Sequence, residues 1–319
     1  MTRKVLVTGG AGFIGSHLVD RLVKDGHKVI VLDDLSNGTL DALKMSISKI
    51  EFVEGSILDE TLVSDLSEGC DAVFHMAAIS NVTESLKDPL RVHAVNATGT
   101  LNVLEAARRS KARVILSSSA AVYGDSSGLP KRESDDIQPI SLYGAQKLVA
   151  ENYLLSYCLT QGLEGIALRY FNVYGPRQNP RSPYSGVISV FLERAISREH
   201  IAIHGDGHQT RDFVYVEDVV EANVACLNRP RLECQAINIG TGVETSILRL
   251  AMEINDLAGS TTPLHFAPGR AGDIRRSVGD TETARSELKF VAKMPLRKGL
   301  DITLKSLQPN VTKGPQQVS

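Results

Sequence analysis

Tyr143 and Lys147, four residues apart, are the side chains of this sequence best suited to proton transfer. They open a stretch with apolar residues at helical spacing, which places both on one face about one turn apart. A free phenol has a pKa of ~10, and a nearby ammonium group favours its ionised form. The pair is therefore a candidate general base. A half-buried tyrosine beside a solvated lysine gives the same spacing by accident, so the surrounding elements must decide between the two interpretations.

A glycine-rich turn between two apolar runs is the second chemical feature. Lys4–Thr8 and Val29–Leu32 predict buried strands, and the residues between them have the periodicity of a helix that ends at Gly26. Three glycines spaced by three residues connect the first strand to this helix: Gly9, Gly12 and Gly15. Without a Cβ, a pyrophosphate can approach the backbone N–H groups, and the helix N-terminus adds partial positive charge. The pattern indicates a dinucleotide-binding βαβ unit.

Asp33 ends the second strand, 18 residues after Gly15. A carboxylate in that place accepts hydrogen bonds from the hydroxyls of the adenosine ribose, and it repels a 2′-phosphate. Neither arginine nor lysine occurs between Val29 and Asp41, so no local cation neutralises such a phosphate. The sequence predicts NAD rather than NADP.

Strand and helix patterns alternate through the first ~170 residues, which predicts an α/β fold with a doubly wound parallel sheet. One helix is expected from Pro89 through Arg109, and another from Tyr143 to about Cys158. We expect a Rossmann-like NAD-binding domain at 1–175, with 212–240 packing back onto it. A smaller α/β substrate-binding domain is expected from 176–211 and 241–307, and a disordered tail at 308–319.

Composition limits the remaining possibilities. The 319 residues are 42% hydrophobic with a net charge of −2, which argues against a nucleic-acid-binding surface. No apolar run approaches ~18 residues, so no membrane contact is expected, and the first strand leaves no room for a signal peptide. The four cysteines form no C-x-x-C pair, and the histidines lack metal-ligand spacing. We expect a cytoplasmic protein with reduced thiols and no metal.

The motifs together resemble the extended branch of the short-chain dehydrogenase/reductase superfamily, the NAD-dependent epimerase/dehydratase family. The similarity runs from residue 3 to roughly 305 and is strongest to UDP-glucose (UDP-galactose) 4-epimerases. The matching stretches are VTGGAGFIGSH, LDDLSNG, HMAA, VNATGT, SSSAAVYG, YGAQK, LRYFNVYGPRQ, GDGHQTRDFVYVEDVV, NIGTG and GRAGDIRRSVGD.

The resemblance implies a role for each matching position. Catalysis is implied for Ser119, Tyr143 and Lys147. Cofactor contact is implied for Gly9, Gly12, Phe13, Ile14, Gly15, Asp33, Asn37, Ser56, Ile57, Ala77, Asn96, Tyr143, Lys147 and Tyr170. Contact with the diphosphate, uridine or sugar of a UDP-sugar is implied for Asn172, Arg211, Arg270, Asp273 and Ser277. At residue 56 the family often has aspartate, and serine lacks its ionised acceptor.

The residues after Ser119 discriminate between activities within the family. Similar dehydratases have an Asp-Glu pair there and similar decarboxylases a glutamate, whereas this sequence has Ala120 and Ala121. A methyl group cannot transfer a proton, so a 4-epimerase of UDP-hexoses is predicted. UDP-glucuronate 4-epimerase stays open because it too lacks the acid pair. A non-catalytic NAD-binding regulator is the alternative from another class, although all three catalytic positions are present.

Two further expectations follow from the resemblance. In the family a residue at the position of Ser277 borders the C2 substituent of the sugar, and stricter glucose/galactose enzymes have tyrosine there. The small serine predicts that N-acetylated UDP-hexoses are accepted as well. The helices at 90–109 and 143–160 are more apolar than one buried stripe requires, which predicts a homodimer through an intersubunit four-helix bundle.

Overall fold

Seven parallel strands form the central sheet, in the order β10-β6-β5-β4-β1-β2-β3. The computed structural model describes residues 1–80, 82–126, 128–178, 186–269 and 274–308. The strands of this sheet are β1 (Lys4–Thr8), β2 (Lys28–Asp33), β3 (Glu51–Glu54), β4 (Ala72–His75), β5 (Arg113–Ser119), β6 (Gly165–Tyr170) and β10 (Gln235–Ile239). The doubly wound parallel sheet expected from the sequence is confirmed.

Alternate residues of each strand enter cores on opposite faces of the sheet. On β1, Val5 and Val7 belong to one core and Leu6 to the other, and all three are fully buried. This side-chain alternation explains why the buried strands are continuous apolar runs. The helices of the chain are α1 (Phe13–Lys24), α2 (Glu60–Ser67), α3 (Val82–Lys87), α4 (Pro89–His93), α5 (Gly99–Ser110), α6 (Leu142–Gln161), α7 (Val187–Ser197), α8 (Val216–Asn228), α9 (Ile247–Leu257), α10 (Glu282–Leu288) and α11 (Leu296–Leu307).

A second core lies among α7, α9, α11 and two small sheets. One sheet has the order β11-β9-β7 and the other β12-β8. Their strands are β7 (Asn172–Tyr174), β8 (Ile201–His204), β9 (Thr210–Tyr215), β11 (Glu244–Ser246) and β12 (Leu264–Ala267). The stretch 212–240 is expected from the sequence to pack onto the large sheet. Its helix α8 packs on α1 and its strand β10 pairs with β6, whereas β9 lies in the small sheet β11-β9-β7. The division into two domains stays a proposal, and the expected tail lies outside the described residues except for Gln308.

The helix expected from Pro89 through Arg109 is interrupted by one π-helical segment, Ala94–Thr98. Asp88 caps the start of α4 by accepting a hydrogen bond from Arg91 N, and Pro89 occupies the first turn. Apolar periodicity does not reveal the extra residue in the π turn. Among the described residues, no helix is long and apolar enough to cross a membrane, and no group of three or more potential ligands converges as a metal site would.

Candidate active site

The glycines of the turn are needed for two different reasons, the packing of the chain and the approach of a ligand. Gly9 has a φ of +69°, and a Cβ on it would lie 2.6 Å from the backbone nitrogen of Ala77. A Cβ on Gly15 would lie 2.2 Å from the carbonyl oxygen of Gly9, so the packing of the chain itself requires glycine at both positions. A Cβ on Gly12 would meet its nearest atom at 3.2 Å. Gly12 also caps α1 without a side-chain hydrogen bond. The sequence argument, which assigned all three glycines to phosphate approach, therefore applies best to Gly12.

A cavity of about 400 Å³ follows the carboxyl ends of the strands from this turn to Ser119. That edge is where open α/β sheets bind ligands. Of the residues with an implied catalytic or cofactor role, those that line the cavity are Gly9, Gly12, Phe13, Ile14, Gly15, Asp33, Asn37, Ser56, Ile57, Ala77, Ser119, Tyr143, Lys147 and Tyr170. The sequence analysis did not single out Met76, Ser80 or Phe171, which also line it.

Asp33 is fixed in place by two backbone groups. Its Oδ2 accepts a hydrogen bond from Ala11 N and its Oδ1 one from Leu35 N, each at 2.9 Å. Burial raises the pKa of this carboxyl, while both hydrogen bonds oppose the shift. A carboxylate held this way can still accept hydrogen bonds from ribose hydroxyls. Ser56 uses its hydroxyl locally, accepting from Leu58 N at 3.2 Å.

Asn96 is not among the described residues that line the cavity. Its Oδ1 accepts from Ile79 N at 2.8 Å and its Nδ2 donates to Ile79 O at 3.0 Å. Gln146 of α6 lies 3.4 Å from the same amide nitrogen. The amide therefore holds the loop after β4, and its implied contact with the cofactor stays a prediction.

Tyr143 and Lys147 stand in the first two turns of α6, whose start is capped by Ser141 accepting from Gly144 N at 3.0 Å. Lys147 Nζ donates to the carbonyl oxygen of Ser117 at 2.8 Å. Burial lowers the pKa of Lys147 to about 8, with Glu151 acting in the opposite direction. Burial raises the pKa of Tyr143 to about 12, opposed by a hydrogen bond with Ser119. The pair is assembled, but in this structure Lys147 does not offset the effect of burial on the phenol.

A second cavity of about 320 Å³ contains two of the residues assigned to the nucleotide sugar, Asn172 and Arg211. Arg211 Nη1 donates to Thr210 O at 2.7 Å. Ser277 N donates to the same carbonyl at 3.2 Å, although Ser277 is not among the described residues that line either cavity. Arg270 and Asp273 lie outside the described residues. Sequence reasoning missed the other polar residues of this cavity, which are Arg194, His200, His204 and Gln209.

The sheet, the glycine turn and the Ser119–Tyr143–Lys147 group define a dinucleotide-dependent protein of the short-chain dehydrogenase/reductase type. The model of the NAD dependent epimerase/dehydratase family matches residues 5–240, and the chain belongs to that family. The resemblance and the NAD prediction are thereby confirmed.

Known proteins of this family show how far the likeness extends. The chain is 40% identical to the UDP-glucose 4-epimerase of Mycolicibacterium smegmatis over 94% of this chain and 97% of that protein. It is 37% identical to a UDP-N-acetyl-alpha-D-glucosaminuronate decarboxylase of Bacillus cytotoxicus over 84% of each chain.

Two solved structures have nearly the same fold. UDP-glucose 4-epimerase of Thermotoga maritima, solved with UDP-glucose, superposes with a TM-score of 0.91 at 38% identity, covering 95% of this chain and 98% of that one. UDP-N-acetylglucosamine 4-epimerase of Methanobrevibacter ruminantium superposes with a TM-score of 0.92 at 36% identity, covering 96% and 98%.

Proposed function

We propose that the protein is an NAD-dependent 4-epimerase of UDP-hexoses that accepts UDP-glucose and UDP-galactose as well as their N-acetyl counterparts. The observation that carries this proposal is the convergence of Ser119, Tyr143 and Lys147 at one end of the cavity, away from any lining carboxylate. Among the described residues that line the cavity, the acids are Asp33 and Asp34, at the end of β2. A 4-epimerase needs one proton-transferring group at the sugar, and Tyr143 supplies it.

The residues present suit NAD. The open N-terminus of α1 at Gly12 would hold the pyrophosphate, and Asp33 the adenosine ribose. Lys147 and Tyr170 would bind near the nicotinamide. When bound, NAD supplies a carrier that accepts a hydride from the sugar and returns it.

Tyr143 and Ser119 would perform the proton chemistry. The Tyr143 phenolate takes the proton of the sugar 4-hydroxyl while Ser119 donates a hydrogen bond to the same oxygen. Lys147 as ammonium stabilises the phenolate. After the 4-keto sugar rotates in the site, Tyr143 returns the proton to the same oxygen, and C4 recovers its hydride on the opposite face. Because the hydroxyl and the carbon each recover what they lost, no net oxidation results.

Ala120 and Ala121 argue against dehydratase and decarboxylase activity. They form a short 3-10 turn, Ala120–Tyr123, directly after Ser119, where similar dehydratases have an acidic pair. UDP-glucuronate 4-epimerase is the second candidate, because Ala120 and Ala121 in place of an acid pair after Ser119 suit it equally.

Product analysis tests the proposal. Purified protein with NAD is incubated separately with UDP-glucose, UDP-N-acetylglucosamine and UDP-glucuronate, and the products are separated by chromatography. We expect the 4-epimers of the first two. A 6-deoxy-4-keto product, a decarboxylated product, or epimerisation of UDP-glucuronate alone would contradict the proposal.

Tyr143→Phe separates an enzyme from a regulator. Loss of the phenol should lower kcat by about 10²–10⁴-fold, the usual contribution of a general acid–base group. NAD binding should persist, as measured by calorimetry. Unchanged turnover, or loss of NAD binding with the fold intact, would remove Tyr143 from the proposed role.

We also propose that the protein is a homodimer through α4, α5 and α6. Leu90 on α4 and Leu159 on α6 are each 82% exposed, and Leu86 on α3 is 66% exposed. Large exposed apolar residues on adjoining helices support a surface covered by a second copy.

A further inference from the structure

One carboxylate links α6 and β5, which carry the proposed catalytic residues, to the neighbouring strand β6. Glu151 lies one turn after Lys147 on α6 and is 1% exposed. Its Oε1 accepts a hydrogen bond from Ser118 Oγ on β5. Arg169 of β6 donates from Nε to Oε1 at 3.0 Å and from Nη2 to Oε2 at 2.8 Å. The forked pair is 96% or more removed from solvent on both sides.

The partners of Glu151 adjoin residues that line the cavity. Ser118 stands between Ser117, whose carbonyl accepts from Lys147 Nζ, and Ser119. Arg169 directly precedes Tyr170. A shift of the Glu151 carboxylate would therefore move α6 along the ends of β5 and β6. It would change the distance from Tyr143 to Ser119.

The same carboxylate balances charge beside Lys147. In the part of the chain that the structure describes, the titratable groups facing Lys147 are Glu151 and Tyr143 of α6, His75 of β4 and, behind Glu151, Arg169 of β6. His75 is enclosed by Thr8 Oγ1 at 2.8 Å and Thr100 Oγ1 at 3.0 Å, and burial together with the charge of Lys147 lowers its pKa to about 3. His75 is therefore neutral. Glu151 is the acid that favours the charged form of Lys147, and it also binds Arg169.

We propose that Glu151 is the positioning residue of the Tyr143–Lys147 pair: it fixes α6 against β5 and β6 and neutralises the Arg169 guanidinium beside Lys147. A buried ion pair that only stabilises the fold would leave the ionisation of Lys147 unchanged when the rest of the protein stays folded. The kinetic part of this inference rests on the proposed epimerase function, whereas the titration described next needs no turnover.

Glu151→Gln in the full-length, NAD-bound protein tests the proposal, because glutamine keeps the size and loses the charge. The readout is a pH titration of the labelled Cε of Lys147 by NMR, assigned with Lys147→Met. With Arg169 unneutralised, the Lys147 midpoint should fall by about one pH unit relative to wild type, the size expected for a unit charge several ångströms away at intermediate dielectric. The alkaline limb of kcat/KM for UDP-galactose should move in the same direction.

Glu105→Gln is the matched control. Glu105 of α5 also accepts a hydrogen bond from α6, from Tyr157 Oη at 2.6 Å. Tyr157 lies near the C-terminal end of α6, far from Lys147. This variant should leave the Lys147 midpoint and the pH profile unchanged. An unchanged midpoint in Glu151→Gln, or an equal shift in Glu105→Gln, would overturn the proposal.

The double variant Glu151→Gln/Arg169→Gln keeps the test decisive if the single variant does not fold. With both charges removed, the midpoint should stay near the wild-type value while kcat falls, because α6 is no longer clamped. A shifted midpoint or an unchanged kcat would contradict the proposal. A wild-type protein that turns over no UDP-hexose would contradict the proposed function, and the titration would still support or overturn the role of Glu151.

Discussion

Lys147 is a cation buried beside a neutral histidine, and its protonation links the chemistry of the site to the stability of the fold. Burial lowers its pKa from 10.5 to about 8. Between those values the unfolded chain binds a proton that the folded chain does not, so stability rises with pH across this window. Below pH 8 the destabilisation is fully present. The residue proposed to assist the phenolate is therefore retained at a cost to stability.

Lys147→Met should consequently make the NAD-free protein more stable near neutral pH. We expect a gain of about 2 kcal/mol at pH 7, after allowing ~1 kcal/mol for the lost hydrogen bond to Ser117. The gain should disappear as the pH rises through 8 toward 10.5. Urea unfolding of the wild type and of Lys147→Met, at pH 7 and near pH 10.5, measures the difference in stability. A gain that is the same at both pH values would show that the charge of Lys147 is not its cause.

Ser277→Tyr tests the proposed breadth of substrate use. The added phenol should exclude an N-acetyl group sterically, lowering kcat/KM for UDP-N-acetylglucosamine by at least about 10²-fold while UDP-glucose continues to turn over. Ser286→Tyr, on an exposed position of α10, provides the control. An unchanged ratio of the two activities would mean that Ser277, which pairs through its backbone with Thr210, does not border the sugar.

Asn96, on the π-helical segment Ala94–Thr98, holds the loop after β4 in place. The π segment that interrupts the helix lets its amide bond both backbone groups of Ile79. The loop after β4, which lines the cavity, is thus held by a side chain outside the cavity.

Asn96→Ala should leave the buried N–H and C=O of Ile79 without these partners, at a cost of about 1–3 kcal/mol. We also expect weaker NAD binding, because the loop loses its anchor. Chemical denaturation and calorimetric titration with NAD measure the two effects. Stability lost with NAD affinity unchanged would show that the loop keeps its shape by other contacts.

The inner strands of the large sheet could be predicted because burial on both faces leaves them as apolar runs, as in Ala72–His75. The glycine turn, Asp33 and the Tyr143–Lys147 pair could also be predicted, because each lies within or directly beside the strand or helix that positions it. In contrast, β8 and β12 are four-residue strands of a two-stranded sheet. Burial alternates along β8, β12 is at most half-buried, and no long apolar run marks either strand. The direction of the Asn96 side chain depends on a π turn that has no periodic signal. The Glu151–Arg169 pair joins a helix to a strand through a tertiary contact that spacing cannot reveal.

For the whole molecule, the exposed leucines of α4 and α6 are the feature on which the proposed dimer interface can be tested. Leu90→Arg together with Leu159→Arg places two charges on the proposed interface, and burying unpaired charges is strongly unfavourable. We expect the mass measured by light scattering to change from dimer to monomer. Met252→Arg on α9, at an apolar position that is 59% exposed, should leave the mass unchanged. A monomeric wild-type protein at micromolar concentration would contradict the interface.

The position of β10 has a consequence for synthesis on the ribosome. Its only strand partner within the described sheet is β6, and it is made after the chain has left the large sheet to build β7, β8 and β9. Until Gln235–Ile239 emerges, a nascent chain that already contains six strands presents β6 as an open edge, and open edges invite pairing with other chains. A fragment ending at residue 175 would keep the whole glycine turn and the Tyr143–Lys147 pair but leave that edge bare. Covering the edge of β6 therefore depends on β10, a segment that follows the residues proposed for catalysis in the sequence.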